Sequence, residues 1–129
     1  MILVDTSVWI ELLNRRLKTR VVGEDLLRFV TCGPIAQEVL QGFLQRAGAD
    51  GFREAFLAIP RLCDPLRWDT FMEAAEIYRQ GRKSGYTIRS SIDCLIAAVA
   101  IENDVPVWHR DRDFSFIARY TRLQAFDRL

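Results

Sequence analysis

Asp5, Glu38, Asp93 and Asp111 stand far apart in the chain, each where a folded α/β domain could gather its carboxylate into one place. Asp5 directly follows the apolar run Ile2-Leu3-Val4, and Asp111 follows Val105-Pro106-Val107-Trp108 after a gap of two residues. Glu38 and Asp93 each interrupt an otherwise apolar helical pattern. Carboxylates held together repel, and a pair about 4 Å apart costs roughly 4 kcal/mol at an effective dielectric near 20. Such a cluster persists when protons or cations neutralise it, and hard oxygen donors suit Mg²⁺ or Mn²⁺. The chemistry expected of these residues is metal-assisted phosphoryl transfer.

The elements that must carry the acids read as short strands alternating with helices. Ile2 to Val4 is a buried strand, and Thr6 to about Asn14 a helix with Val8, Trp9, Leu12 and Leu13 on one face. A basic turn (Arg15, Arg16, Lys18, Arg20) leads to a helix over Glu24 to Arg28 and a strand over Phe29 to Cys32. Gly33-Pro34 ends that strand, and Pro34 opens a helix whose apolar face is Ile35, Val39, Leu40, Phe43 and Leu44. A turn over Ala47 to Gly51 and a short helix around Phe52 to Ala58 follow, then an extended connection between Pro60 and Pro65. Asp69 is the expected N-cap of a long helix that stops near Ser84-Gly85. Ser90 or Ser91 caps the next helix, which packs Ile92, Leu95, Ile96, Val99 and Ala100 inward. A strand over Val105 to Trp108, a helix begun by Asp111 or Asp113, and a last strand over Leu123 to Phe126 complete the chain. This alternation predicts one α/β domain over residues 1–129, a three-layer α/β/α arrangement whose short, mainly parallel sheet is covered by helices.

In such sheets ligands collect beyond the carboxyl ends of the strands. Asp5 and Asp111 lie there directly, Asp93 in the first turn of its helix, and Glu38 in the second turn after Pro34. Asp93 shares a helical face with Ile96, Ala97 and Ala100 and so points towards the packed side, while Gly42 leaves space beside Glu38. Taken singly, Asp5 and Asp111 also suit helix caps, Asp93 the acidic end of a capping box begun by Ser90, and Glu38 a helix N-terminus. Taken together, at strand ends, they favour a metal site. Asp113, two residues beyond Asp111, is an alternative fourth ligand, a cap or a partner behind the ligand. Thr6 and Ser7 supply hydroxyls that could orient Asp5 or a metal-bound water, although at a helix start they also suit caps. His109 stands beside an Arg and an acid and reads as a surface residue; Trp9, Trp68 and Trp108 read as core. Arg89, Arg110 and Arg112 are the basic residues nearest the predicted cleft and could hold phosphates.

At 129 residues and 50% hydrophobic, the composition is globular, and a net charge of +1 points neither to nor away from nucleic acid. Sixteen of the 18 basic residues are Arg, which suits bidentate phosphate contact, although codon usage accounts for the same skew. Cys32, Cys63 and Cys94 have no C-x-x-C spacing and, with a lone His109, do not read as a zinc site; unpaired thiols suit a reducing compartment. The first apolar run is too short for a signal peptide and no stretch approaches a membrane span, so a cytoplasmic location is expected.

V-D-T-S at residues 4–7, the acid Glu38 in the helix after G-P, S-I-D-C-L-I-A-A at 91–98 and R-D-R-D-F at 110–114 occur in this order across nearly the whole chain. Together they resemble the PIN domain, and more narrowly the VapC ribonuclease toxins of prokaryotic toxin–antitoxin pairs. The resemblance implies that Asp5, Glu38, Asp93 and Asp111 carry Mg²⁺, with Mn²⁺ able to substitute, and hydrolyse RNA, often tRNA. It also implies a homodimer and an antitoxin whose tail blocks the cleft. A phosphate-accepting receiver would need a Lys near the end of a late strand, where neither Lys18 nor Lys83 lies. A haloacid-dehalogenase-type phosphatase would want an acid at position 7, where the chain has Ser7. A non-catalytic PIN-like module binding RNA or protein remains the alternative, and the full set of acids argues against it.

Overall fold

A computed structural model describes residues 1–14, 22–43 and 49–129. Three successive apolar residues make β1 (Ile2–Val4), buried throughout as an interior parallel strand requires. β1 pairs in parallel with β2 (Phe29–Val30) on one side and β3 (Val107–Trp108) on the other, and β4 (Ala125–Phe126) extends the sheet beyond β3. Leu3 is the register point, opposite Val30 in one neighbour and Val107 in the other.

Three strands are shorter than their apolar runs predict because the flanking backbone bonds elsewhere. Thr31 N–H donates to the Pro60 carbonyl at 2.9 Å and its carbonyl accepts from Leu62 N–H at 2.8 Å, so Thr31 bridges the Pro60–Pro65 connection. Val105 N–H donates back to Ala100 at 3.0 Å, and Leu123 N–H to Thr121 Oγ1 at 3.1 Å.

The helices are α1 (Thr6–Leu13), α2 (Gly23–Leu26), α3 (Gly33–Phe43), α4 (Ala49–Leu57), α5 (Trp68–Lys83), α6 (Ser91–Asn103) and α7 (Arg112–Tyr120). The basic turn at Arg15, Arg16, Lys18 and Arg20, as well as Leu44 and the start of the turn at Ala47, lie outside the described residues. Gly33 rather than Pro34 begins α3, and α4 starts at Ala49, ahead of Phe52. Asp69 is not the N-cap of α5. Arg67 occupies that position, and Asp69 sits in the first turn, paired to Arg67 at 2.9 Å, where a negative charge suits the helix dipole. Trp68 is correspondingly 76% exposed and not part of the core. α5 ends at Ser84, followed by Gly85 at φ +87°, a conformation that favours glycine.

Right-handed crossovers put the β1-to-β2 connection on one face of the sheet and the oppositely directed β2-to-β3 and β3-to-β4 connections on the other. α6 is buried without interruption from Asp93 to Ala100, as a helix apolar all round must be, and it packs against α5 and α7. An aromatic row supports the sheet: Trp9 meets Phe56 at 5.3 Å and Phe29 at 6.0 Å, Phe29 meets Trp108 at 5.8 Å, and Trp108 stacks on Phe126 at 6.4 Å. Trp9 and Trp108 are thus core, as expected. The three cysteines are free thiols. Among the described residues no helix is long and apolar enough to cross a membrane.

Candidate metal centre

The chain leaves β1 for β2 on one side and later returns to β3 on the other, so the β1–β3 boundary is the topological switch point. Asp5 N–H donates to the Trp108 carbonyl at 2.9 Å and ties the carboxyl ends of these two strands together. Asp5 is the N-cap of α1, with Oδ2 accepting from Ser7 N at 3.0 Å and also from Ser7 Oγ. Asp111 is the N-cap of α7, with Oδ1 accepting from Asp113 N at 3.0 Å. Both acids therefore cap helices, and both do so at the crevice. Capping and site membership coincide because a helix that starts at a strand end directs its first turn at the same crevice.

Asp93 enters from α6, where Ser90 Oγ accepts from Asp93 N at 3.3 Å as half of a capping box. The carboxylate does not close that box. Asp93 Oδ2 is buried without a hydrogen-bond partner. Among the described residues, Asp93, Asp111 and Asp113 offer oxygens that all lie within 4.8 Å of one another. Asp113 is buried, and its Oδ2 accepts from Arg89 N at 3.1 Å. The structure therefore brings together both candidates for the fourth position. Glu38 stands on α3 at the exposed edge of the site, where Thr6 Oγ1 donates to Oε1 at 3.0 Å. Of the two hydroxyls, Ser7 reaches Asp5, while Thr6 donates to Glu38. An alanine methyl at Gly42 would meet open space, consistent with the room expected beside Glu38.

The electrostatics follow from crowding like charges in a dry place. Burial, reinforced by Asp5, Asp111, Asp113 and Glu38, raises the Asp93 carboxyl from its ordinary 3.8 to about 8. Burial also raises Asp5, against the opposing hydrogen bonds from Ser7 and Thr6 and with a further push from Asp111. Glu38 is raised by burial, opposed by Thr6 and reinforced by Asp5 and Asp111. Among the described residues no Arg or Lys forms an ion pair with any of the five acids. An all-oxygen donor set, a buried carboxylate oxygen without a partner and, among the described residues, no basic side chain paired to the acids fit a hard divalent cation.

His109 is 3% exposed and not a surface residue. Its N–H donates to the Phe126 carbonyl at 3.0 Å and its ring lies 5.5 Å from Phe114, so it continues the buried path of β3. Burial lowers its pKa, against opposing pulls from the Asp111 backbone, Asp5 and Asp127. The signal was present in sequence, since His109 directly extends the apolar run that ends at Trp108. A cavity of about 340 Å³ opens beside Asp111, lined also by Glu11, His109, Arg110, Arg112, Ser115 and Asp127. Arg89 and Arg112 are exposed; Arg110 is engaged by Glu11 and the Asp127 carbonyl.

A parallel α/β sheet with buried acids gathered at its switch point is the architecture of a metal-dependent nuclease domain. The PIN domain family profile matches residues 2–120. Ribonuclease VapC11 of Mycobacterium tuberculosis and a VapC ribonuclease of Mycobacterium bovis are each 40% identical over 131 residues, covering 97% of this chain and 97% of the relative. Among solved structures, FitAB bound to a DNA fragment matches with a TM-score of 0.73 and 22% identity, covering 98% of this chain and 94% of that one. VapBC-5, a toxin–antitoxin family member from Mycobacterium tuberculosis, matches with a TM-score of 0.64 and 26% identity, covering 98% and 97%. The chain belongs to the PIN-domain family, and within it to the VapC ribonucleases.

Proposed function

We propose that this chain is a divalent-metal-dependent endoribonuclease, the toxin of a toxin–antitoxin pair, acting as one PIN domain over residues 1–129. Asp5, Glu38, Asp93 and Asp111 hold the ion, with Asp113 a fifth donor beside them. Mg²⁺ is the resident ion and Mn²⁺ substitutes for it, because both prefer hard oxygen donors such as carboxylates and water. The observation that carries the reading is the buried, unpartnered Asp93 Oδ2 in a trio of acids whose oxygens lie within 4.8 Å, with no basic side chain among the described residues paired to them. The 40% identity to ribonuclease VapC11 across 97% of both chains supports the assignment of RNA as substrate.

The bound ion supplies Lewis-acid polarisation of a phosphate oxygen and neutralises charge in the transition state. The chain's own residues prepare the site for it. Ser7 holds Asp5, Thr6 holds Glu38, and the α7 cap holds Asp111, so three carboxylates are oriented before any ligand arrives. Arg89 and Arg112 stand at the rim, where exposed guanidinium groups bind the phosphates of an unstacked RNA strand. The protein works as a homodimer and is silenced by an antitoxin whose tail occupies the cleft; the similarity to VapBC-5, a toxin–antitoxin family member, supports the antitoxin partner.

The test is cleavage of a mixed RNA pool by purified protein. Mg²⁺ or Mn²⁺ should support cleavage, chelator should stop it, and Asp5→Asn and Asp93→Asn should each abolish it with the fold retained. Undiminished cleavage by both variants, or in excess chelator, would refute the assignment.

A further inference from the structure

Arg110 is adjacent to Asp111, and although its side chain is 38% exposed, its Nε and Nη1 are engaged by the protein. Its Nε lies 3.1 Å from both carboxylate oxygens of Glu11 on α1, and Nη1 donates to the Asp127 carbonyl at 3.1 Å. Its backbone N–H donates at 3.0 Å to Ser7 Oγ, the same hydroxyl that donates to Asp5 Oδ2. One residue thus joins α1, the segment after β4, the Asp5 end of β1 and the turn that carries Asp111. The placement matters because the sheet's own bonds stop at His109, whose N–H reaches the Phe126 carbonyl. Among the described residues, the tethers between His109 and the α7 N-cap are those of Arg110 and the hydrogen bond of the His109 ring with the Asp111 backbone. Glu11 also places a carboxylate where a phosphate would have to approach, so the guanidinium's charge is offset on the side it faces.

We propose that Arg110 is a positioning residue. Its fork on Glu11 and Asp127, together with its N–H on Ser7, fixes the spacing of Asp5 and Asp111 and thereby the site's affinity for a divalent ion. This rests on the reading of Asp5 and Asp111 as metal ligands. Lys cannot reproduce the clamp, because it lacks the planar fork that engages a carboxylate and a carbonyl together.

The experiment compares wild type with Arg110→Ala, Arg110→Lys, Glu11→Ala and the Arg110→Ala/Glu11→Ala double variant. Mn²⁺ affinity is measured by calorimetry without RNA, and kcat and KM on a short fluorogenic single-stranded RNA at several salt concentrations. All measurements are made at a temperature where circular dichroism reports a folded chain. Each single variant should weaken Mn²⁺ binding and lower kcat by about 10–100-fold, the usual cost of losing a group that orients a ligand. KM and the salt slope should stay at wild-type values, Arg110→Lys should fail as alanine does, and the double variant should be no worse than the worse single one.

An RNA-contacting Arg110 would behave in the opposite way. Arg110→Ala would keep its Mn²⁺ affinity, raise KM and reduce the salt slope by about one, while Arg110→Lys would retain most activity. Any of these results would overturn the proposal, as would tighter RNA binding by Glu11→Ala. Should Arg110→Ala fail to fold, Glu11→Gln carries the comparison: weakened Mn²⁺ binding supports the clamp and unchanged binding overturns it. Wild-type protein that binds no Mn²⁺ would sink the nuclease reading and the clamp together. The clamp alone fails if wild type binds Mn²⁺ and cleaves while Arg110→Ala matches its Mn²⁺ affinity.

Discussion

Asp93→Asn should stabilise the metal-free protein while destroying its response to metal. The Asp93 carboxyl rises from 3.8 to about 8, chiefly through burial and then through Asp5, Asp111, Asp113 and Glu38. Because the folded-state value lies above the unfolded one, the folded chain keeps a proton that the unfolded chain has released. Stability therefore falls as pH rises through the window from 3.8 to about 8, and the loss is complete above it. At 1.36 kcal/mol per unit, the proton that a lone folded Asp93 retains at pH 7 would cost the fold about 4 kcal/mol. The cost is spread over a cluster partly open to water, which brings the expected effect nearer to 2 kcal/mol.

Asparagine imitates the protonated acid without the charge. In chelator at pH 8, Asp93→Asn should therefore unfold about 7 °C above wild type, taking the unfolding entropy typical of a domain this size. The gap should close towards pH 4, where both chains carry a neutral group. Mg²⁺ at 100 times its Kd should then stabilise wild type by about 2.7 kcal/mol and the variant by far less. Thermal unfolding in chelator and in Mg²⁺ across this pH range is the assay, with RNA cleavage measured in parallel. A variant less stable than wild type at every pH in chelator would mean that Asp93 is ionised against a protein partner, and the argument from an unpartnered oxygen would be wrong.

Asp111→Asn and Asp113→Asn, compared by Mn²⁺ calorimetry, should both weaken binding, and whichever retains wild-type affinity is not a ligand. Their alanine variants should separate by stability: Asp111→Ala costs about 1 kcal/mol as a lost helix cap, whereas Asp113→Ala strands the Arg89 N–H and costs about 1–3 kcal/mol in urea unfolding. Gly81→Ala should destabilise, because the new methyl would sit 2.5 Å from the Tyr120 hydroxyl, which donates to the Ile77 carbonyl at 2.8 Å. Overpacking of this kind costs about 1–3 kcal/mol, against roughly 1 kcal/mol gained in helix propensity. Urea unfolding should show Tyr120→Phe recovering part of the loss, and a stabilised Gly81→Ala would contradict the contact.

The fold was legible where local pattern and tertiary demand agree. The three apolar residues of β1 read as a buried strand and form one, and of the α6 residues read as packing inward, Leu95, Ile96, Val99 and Ala100 are buried while Ile92 is 38% exposed. Strand ends were less legible, since the partners that draw Thr31, Val105 and Leu123 out of the ladder lie in other segments or in the last turn of a preceding helix. Asp69 misled for a related reason. An acid after Trp suits either an N-cap or a first-turn position, and the Arg67 pair decides for the second. In the site, periodicity indicated that Asp93 faces inward, while burial of His109 was hidden by its polarity. The Arg110–Glu11 pair spans 99 residues and has no local signature at all.

Helix caps and metal ligands were competing readings of Asp5 and Asp111, but under the proposed function they are a single device. Each carboxylate commits one oxygen to the amides of the helix that starts at its strand end, Ser7 in one case and Asp113 in the other. The second oxygen of each is then aimed from a backbone already fixed by the sheet and the helix. Asparagine keeps an acceptor for the cap and removes the charge, whereas alanine removes both. That is why Asp5→Asn is expected to remain folded and inactive, while Asp5→Ala should also lose about 1 kcal/mol of cap stability. Asp93 has no such second duty: its Oδ2 has no protein partner, and the fold bears the cost of burying it without any gain in helix capping. A carboxylate that costs stability in the empty protein, set among four others and unpaired with any basic side chain among the described residues, is explained by the charge it is built to receive.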